Sequence, residues 1–272
     1  MEAISCCRMH GLGNDYVFFQ QDDVEGLVLA DLARAACHRQ TGPGGDGIIL
    51  LGTEPDGVTS FSIVNADGTY AELCGNGLRC AAAIVSSRLG GVSEVQLKSA
   101  VGLHQMSVEL QSPGLWSVCG PLAIPAFGDD FELLLGNKAI GCQHITIGNP
   151  HAVAFIDAPV DAHQFETMFM SLQRMPRFPN GVNFHLAHVR SPDRITMSSW
   201  ERGAGPTQAC ATGAAAVAVA AHAQGAIGDE VGVGLRGGDL TVRIGRDDEA
   251  VVVEGPAVLI ADLHWQPASI KV

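Results

Sequence analysis

Apolar runs and helix-period segments alternate in one order, and the order occurs twice. In the first half YVFF (16–19) and GIILL (47–51) read as strands, LADLARAAC (29–37) as a helix, and TSFSIV (59–64) as a strand leading into NADG. In the second half QHITIGN (143–149) and HAVAFID (151–157) read as strands and AHQFETMFMSLQRM (162–175) as a helix. GVNFHLAHV (181–189) and RITMSSW (194–200) follow as strands, and residues 211–224 as a helix closing before Gly225. The helix after Cys74 and the helix after Cys210 are alanine-rich and apolar almost all round. A surface helix cannot be, so each is predicted to be a central helix wrapped by the strands of its own half.

The repetition reaches individual residues. CGNGLRCAAAIV from 74 and CATGAAAVAVAA from 210 both run Cys, two residues, Gly, then alanines, and the two cysteines stand half of the 272-residue chain apart. Asn65 and Glu201 each precede their cysteine by nine residues, and Asn14 and Asn149 by 60 and 61. The predicted fold is therefore mixed α/β: two pseudo-symmetric domains from an internal duplication, each a mixed sheet around a central helix, with the active site in the cleft between them. PLAIPAFGDD (121–130), with two prolines and a glycine, marks the linker. The domains expected are 1–120 and 121–272, the last strand of the chain joining the first.

Composition narrows the function. With 47% hydrophobic and 17% charged residues the chain is globular, and no run approaches the roughly 18 apolar residues of a membrane span. The start, MEAISCCRMHG, shows no signal-peptide pattern, so a cytoplasmic protein with no membrane association is expected. A net charge of −13 without a basic patch argues against nucleic acid. The eight cysteines are expected to be reduced, with Cys37, Cys80, Cys119 and Cys142 acting as small hydrophobes. GPGGD (42–46) lacks the Gly-Lys-Ser/Thr of a phosphate loop, and no Cys-x-x-Cys or His-x-x-x-His near a cysteine suggests a metal.

A thiol at a helix N-terminus meets free N–H groups and the positive end of the helix dipole, which favour thiolate and fit it as a base. The N–H groups of Gly75-Asn76 and Ala211-Thr212 can hold a carboxylate. Two such thiols facing one carbon form a symmetric acid–base pair that inverts its configuration. Pyridoxal chemistry would need a lysine, and Lys98, Lys138 and Lys271 sit in strand-like, turn-like and terminal contexts, so no cofactor is expected.

MHGLGNDYV, NADGTYAELCGNGLRC, GNPH and ERGAGPTQACATGA, in this order, resemble the signature segments of diaminopimelate epimerase over nearly the whole chain. The resemblance implies a pyridoxal-independent two-base epimerase, interconverting LL- and meso-diaminopimelate in lysine and peptidoglycan precursor synthesis. It implies Cys74 and Cys210 as the acid/base thiols, with His151 and Glu201 adjusting their protonation. Gly75, Asn76, Ala211 and Thr212 would grip the reacting carboxylate. Asn14, Asn65, Asn149, Asn183, Glu201 and Arg202 would line the rest of the pocket, with Arg202 on the distal carboxylate. His151 has a competing reading as a satisfied core histidine, Arg202 as an ion-pair partner of Glu201, and the other nine histidines carry no role. Three departures stand out: Gly47 where several relatives have glutamine, Ala211 for a common glycine, and Ala261 where some relatives have a tyrosine at a homodimer interface. A cofactor-free racemase of another amino acid is the alternative, and a non-catalytic thiol or metal-binding protein a remote one.

Overall fold

Strands form where the apolar runs predict them, and further strands form that no run announces. The structure, a computed structural model, describes residues 3–135, 138–157, 160–246 and 248–267. The chain divides into two units, one of Met1–Pro121 with Glu254–Val272, the other of Leu122–Val253.

The first unit contains β1 (Ile4–Gly11), β2 (Asn14–Gln20), α1 (Leu29–Cys37), β3 (Gly47–Thr53), β4 (Thr59–Asn65) and β5 (Tyr70–Ala71). Then come α2 (Gly75–Arg88), β6 (Glu94–Ser99), β7 (Gly102–Ser112) and β8 (Leu115–Pro121). The second contains β9 (Ala126–Phe127), β10 (Phe131–Leu135), β11 (Lys138–Thr146), β12 (Pro150–Phe155), α3 (Ala162–Gln173) and β13 (Asn183–Ser191). It continues with β14 (Arg194–Glu201), β15 (Gly205–Thr207), α4 (Ala211–Ala223), β16 (Glu230–Leu235) and β17 (Gly238–Arg243). The last strand is β18 (Val252–Trp265).

Both units follow one pairing scheme. β1–β2 is antiparallel, β2–β3 parallel, β3–β4 antiparallel and β4–β6 parallel. In the same order, β11–β12 is antiparallel, β12–β13 parallel, β13–β14 antiparallel and β14–β16 parallel. Parallel neighbours need a crossover, which α1 and α3 supply at equivalent places. The sheet of each unit is thus mixed.

The third strand of each scheme is buried on both faces, which is why its sequence is a continuous apolar run. Ile48 and Leu50 of β3 pack with Leu32, Ala33 and Ala36 of α1. Ile49 between them points to α2, its Cδ1 only 2.5 Å from where a Cβ on Gly77 would stand. In β13, Phe184 and Leu186 pack with Phe165, Met168 and Leu172 of α3. His185 between them points to α4. Both alanine-rich helices are buried over most of their length, α2 from Gly75 to Ser86 and α4 from Ala211 to Ala221. Among the described residues no helix is long and apolar enough to cross a membrane.

The contact beneath α4 is tight. A Cβ on Gly213 would lie 2.3 Å from Cε1 and 2.6 Å from Nε2 of His185. Gly213→Ala is therefore expected to destabilise the protein by about 1–3 kcal/mol through overpacking. Urea denaturation reads the change, and an unaltered midpoint with unaltered slope would contradict this packing.

Two features depart from the sequence reading. Residues 121–130 are not a free linker: the Leu122 N–H donates to Val251 O, and β9 pairs with β11 through Phe127 and Ile145. The strand expected at 143–149 starts at Lys138 and stops at Thr146, because the Ile147 N–H closes a turn on Asn149 O.

Candidate active site

In the first unit a two-residue turn at Leu12-Gly13, with φ of 57° and 84°, sets the register that starts β2 at Asn14. Cys74 caps α2 in extended conformation, its sulfur accepting the Gly77 N–H at 3.4 Å. Its thiol donates to Asn14 Oδ1 at 3.5 Å. The same oxygen accepts from Asn76 Nδ2 at 3.0 Å, while Asn14 Nδ2 donates to Asp46 at 2.8 Å. Behind them lies Arg79, 1% exposed, donating to Asn76 Oδ1 at 2.8 Å and to Gly75 O at 3.3 Å. A guanidinium can only donate, so it fixes which way the Asn76 amide faces. Asn65, at the end of β4, donates within its own turn to Thr69 Oγ1 at 3.0 Å.

The second unit builds a matching helix mouth from other side chains. Cys210 caps α4, its sulfur accepting the Gly213 N–H at 3.4 Å with Thr212 Oγ1 at 3.6 Å. Residues two apart in a strand share a face, so the pairing of β12, β13 and β14 lines His151, His185 and Ser199 toward α4. His151 Nδ1 lies 2.8 Å from His185 Nε2, His185 Nδ1 3.0 Å from Ser199 Oγ, and His151 Nε2 2.8 Å from Asn149 Oδ1. Glu201 ends β14 and accepts from Thr207 Oγ1 at 2.5 Å. Asn183 Oδ1 accepts the Arg202 N–H at 2.9 Å, and Arg202 Nη1 donates to Asn180 O at 2.9 Å. No ion pair between Arg202 and a carboxylate occurs among the described residues, so the paired-with-Glu201 reading does not hold.

Electrostatics correct one expectation. Burial first, then the Glu201 carboxylate, pushes the Cys210 thiol well above its ordinary 9.0, against the pull of Thr212 and the Gly213 N–H. The helix dipole is outweighed, and this cysteine rests as a thiol. Burial likewise pulls His151 well below 6.5, with His185 adding to the effect, and takes His185 to about 3. Both rings stay neutral when folded, whereas in the unfolded chain they protonate near 6.5. Unfolding therefore takes up protons below that pH, so stability present above 6.5 is lost as the pH falls from 6.5 toward 3. Denaturation midpoints between pH 7 and 4.5 should show a slope of up to about 1.4 kcal/mol per pH unit per ring. Replacing His185 should remove about one proton's worth of that slope; an unchanged slope counts against a buried neutral ring.

His151, His185 and Cys210 also place ligand atoms within 4.8 Å of one another. Two imidazole nitrogens on a tetrahedral zinc, each at about 2.0–2.1 Å, stand roughly 3.3 Å apart. At 2.8 Å these two share a hydrogen bond instead. His185 carries no motif and lies in an apolar run; the available signal is a polar residue inside a strand apolar on both faces. A cavity of about 530 Å³ between the start of α3 and strands β13 and β14 is lined by Phe165, Trp200, Arg190 and Arg236, and also by Ser199, but not by His151, His185 or Cys210.

The profile of the family described as Diaminopimelate epimerase matches residues 6–115 and 144–260. This chain belongs to the diaminopimelate epimerase family. It is an isomerase of the epimerase type. Diaminopimelate epimerase from Desulfitobacterium hafniense is 35% identical over 93% of this chain and 95% of its own. The enzyme of the same name from Geobacillus kaustophilus is 34% identical over 94% of each chain. Among solved structures, a probable proline racemase from Agrobacterium radiobacter superposes with a TM-score of 0.72 at 16% identity, covering 97% of this chain and 93% of its own. A phenazine biosynthesis protein from Bacillus anthracis gives 0.70 at 14% identity, covering 97% and 99%. At such identities these two speak for the fold alone. The mixed α/β class of the family is the one read from the duplication.

Proposed function

We propose that the chain interconverts LL- and meso-diaminopimelate without pyridoxal, with Cys74 and Cys210 as the two acid/base groups. The observation that carries this reading is the equivalence of the two helix mouths. Each cysteine caps a buried helix at the same step of the duplicated scheme, each sulfur holding the N–H three residues on at 3.4 Å. One sulfur, as thiolate, takes the α-proton and forms an S–H bond as the C–H bond breaks. The electron pair stays on carbon, stabilised by the helix N–H groups of Gly75-Asn76 and Ala211-Thr212 around the carboxylate. The second sulfur then gives its proton to the opposite face and becomes the thiolate, so each turnover exchanges the two states. Cys210, held as a thiol by burial and Glu201, is the donor in the direction for which Cys74 is the base.

In this reading Asn14, Asn65, Asn149 and Asn183 hold the distal groups by hydrogen bonds, and Arg202 grips the distal carboxylate. His151 and Glu201 adjust the thiols. The reading carries with it a cytoplasmic setting and a homodimer, the latter with Ala261 at the position of an interface tyrosine in some relatives; sedimentation equilibrium reads the assembly.

The test is α-proton exchange in deuterium oxide with LL-diaminopimelate and a panel of other amino acids. Exchange and inversion with diaminopimelate support the reading. Exchange with another amino acid alone would keep the two-thiol chemistry and replace the substrate.

A further inference from the structure

We propose that His185 is a positioning residue: acting through His151, it turns the Asn149 amide so that its NH2, and not its oxygen, faces the substrate. The inference rests on the reading above that Asn149 lines the pocket. Four side chains in a row fix one another's protons. Asn149 presents Oδ1 to His151 Nε2 at 2.8 Å, and an amide oxygen can only accept, so His151 carries its proton on Nε2. His151 is fully buried and neutral, so its Nδ1 is left as an acceptor. Among the described residues the hydrogen-bond partner of that Nδ1 is His185 Nε2 at 2.8 Å, which must therefore be the donor. His185 is equally buried and neutral, so its Nδ1 accepts, and Ser199 Oγ at 3.0 Å supplies the proton. Every bond in the run then has one direction: Ser199 to His185, His185 to His151, His151 to Asn149.

Take away the His185 donor and the direction is no longer determined. His151 could move its proton to Nδ1, its Nε2 would become an acceptor, and the Asn149 amide would rotate to donate. Its oxygen would then occupy the place of its NH2. In the present arrangement no protein acceptor among the described residues takes that NH2, and Asn149 is only half-buried. A donor so placed suits a carboxylate, which accepts, and offers nothing to an ammonium, which can only donate.

The first unit reaches the opposite result with different parts. Asn14 stands where Asn149 stands in the duplicated scheme, yet its NH2 is spent on Asp46 and its oxygen faces Cys74 and Asn76. The group that sets this direction is Arg79, five residues after Cys74; five after Cys210 stands Ala215. The place of His185 is taken by Ile49, which fills the space under Gly77 as His185 fills that under Gly213. Equivalent asparagines are thus locked facing opposite ways, one as acceptor and one as donor, by residues that have no counterpart in the other unit.

The experiment combines His185→Phe, which keeps a ring of similar size without its nitrogens, with His185→Gln, whose amide can again donate to His151. Nitrogen-15 NMR of histidine-labelled protein, with His151 assigned by its own substitution, reads which ring nitrogen bears the proton, and needs no substrate. The wild type should show His151 protonated on Nε2. His185→Phe should lose that preference and lower kcat/KM for diaminopimelate roughly tenfold, mostly as a rise in KM, the loss of one ordinary hydrogen bond. His185→Gln should restore both. A wild-type proton on Nδ1, or a His185→Phe protein with His151 and its kinetics unchanged, overturns the orienting role. Since the tautomer is read without substrate, failure of the diaminopimelate reading would show as absent turnover by the wild type and leave the tautomer result standing on its own.

Discussion

Cys74→Ala and Cys210→Ala should each lose diaminopimelate inversion by about 10²–10⁴-fold, the usual contribution of a positioned acid or base. Inversion needs a group on each face of the carbon, so a single remaining thiol cannot complete it. Both alanine variants also lose a helix cap, since each sulfur holds an N–H at 3.4 Å, at a cost of about 1 kcal/mol. Cys210→Ser separates the two effects. Its hydroxyl caps as well as sulfur does but is a far weaker acid, so stability should be kept while turnover falls as far as in the alanine variant. Chiral chromatography of a reaction started from the LL isomer, alongside thermal denaturation, reads both quantities. A variant that keeps more than a tenth of wild-type inversion would remove its cysteine from the chemistry.

Arg202→Ala should cost roughly 10–150-fold in kcat/KM for diaminopimelate, corresponding to about 1.5–3 kcal/mol for hydrogen bonds to a charged group. Its backbone N–H is held by Asn183 Oδ1 and one guanidinium nitrogen by Asn180 O, and among the described residues its guanidinium forms no ion pair with a carboxylate. Because the side chain is exposed, folding stability should change little. Arg202→Lys should recover only part of the loss, since an ammonium cannot reproduce the two parallel bonds. Steady-state kinetics of the two variants, with a monocarboxylate amino acid as control substrate, decides the matter; wild-type kinetics in Arg202→Ala would end the distal-carboxylate role.

What the sequence disclosed, it disclosed through local order. The paired Cys-x-x-Gly segments, the alanine runs and the asparagines beside glycine are short-range patterns, and they mark α2, α4, Asn14 and Asn149 directly. The partners that give these residues their directions come from register, which no single segment contains. His185 reads as one more residue of an apolar strand until β13 is laid beside β12 and β14. Arg79 reads as a polar interruption of α2 until Asn76 and Gly75 are seen to receive its protons. The pull of a helix mouth on a thiol was legible, but its defeat by burial at Cys210 depends on how completely the surrounding strands close over it. The register of β18 was hidden for the same reason: the β1 positions it pairs with are almost the whole chain away.

That last pairing sets an order on synthesis. β1 lies between β2 and β18, with Ile4 opposite Trp265, so the sheet that contains β1 is not closed until β18 has left the ribosome. The unit of Leu122–Val253, by contrast, is one unbroken stretch and can complete itself earlier. The half that is translated first is finished last, and until then β1 exposes an unpaired edge that a nascent chain must keep from other strands.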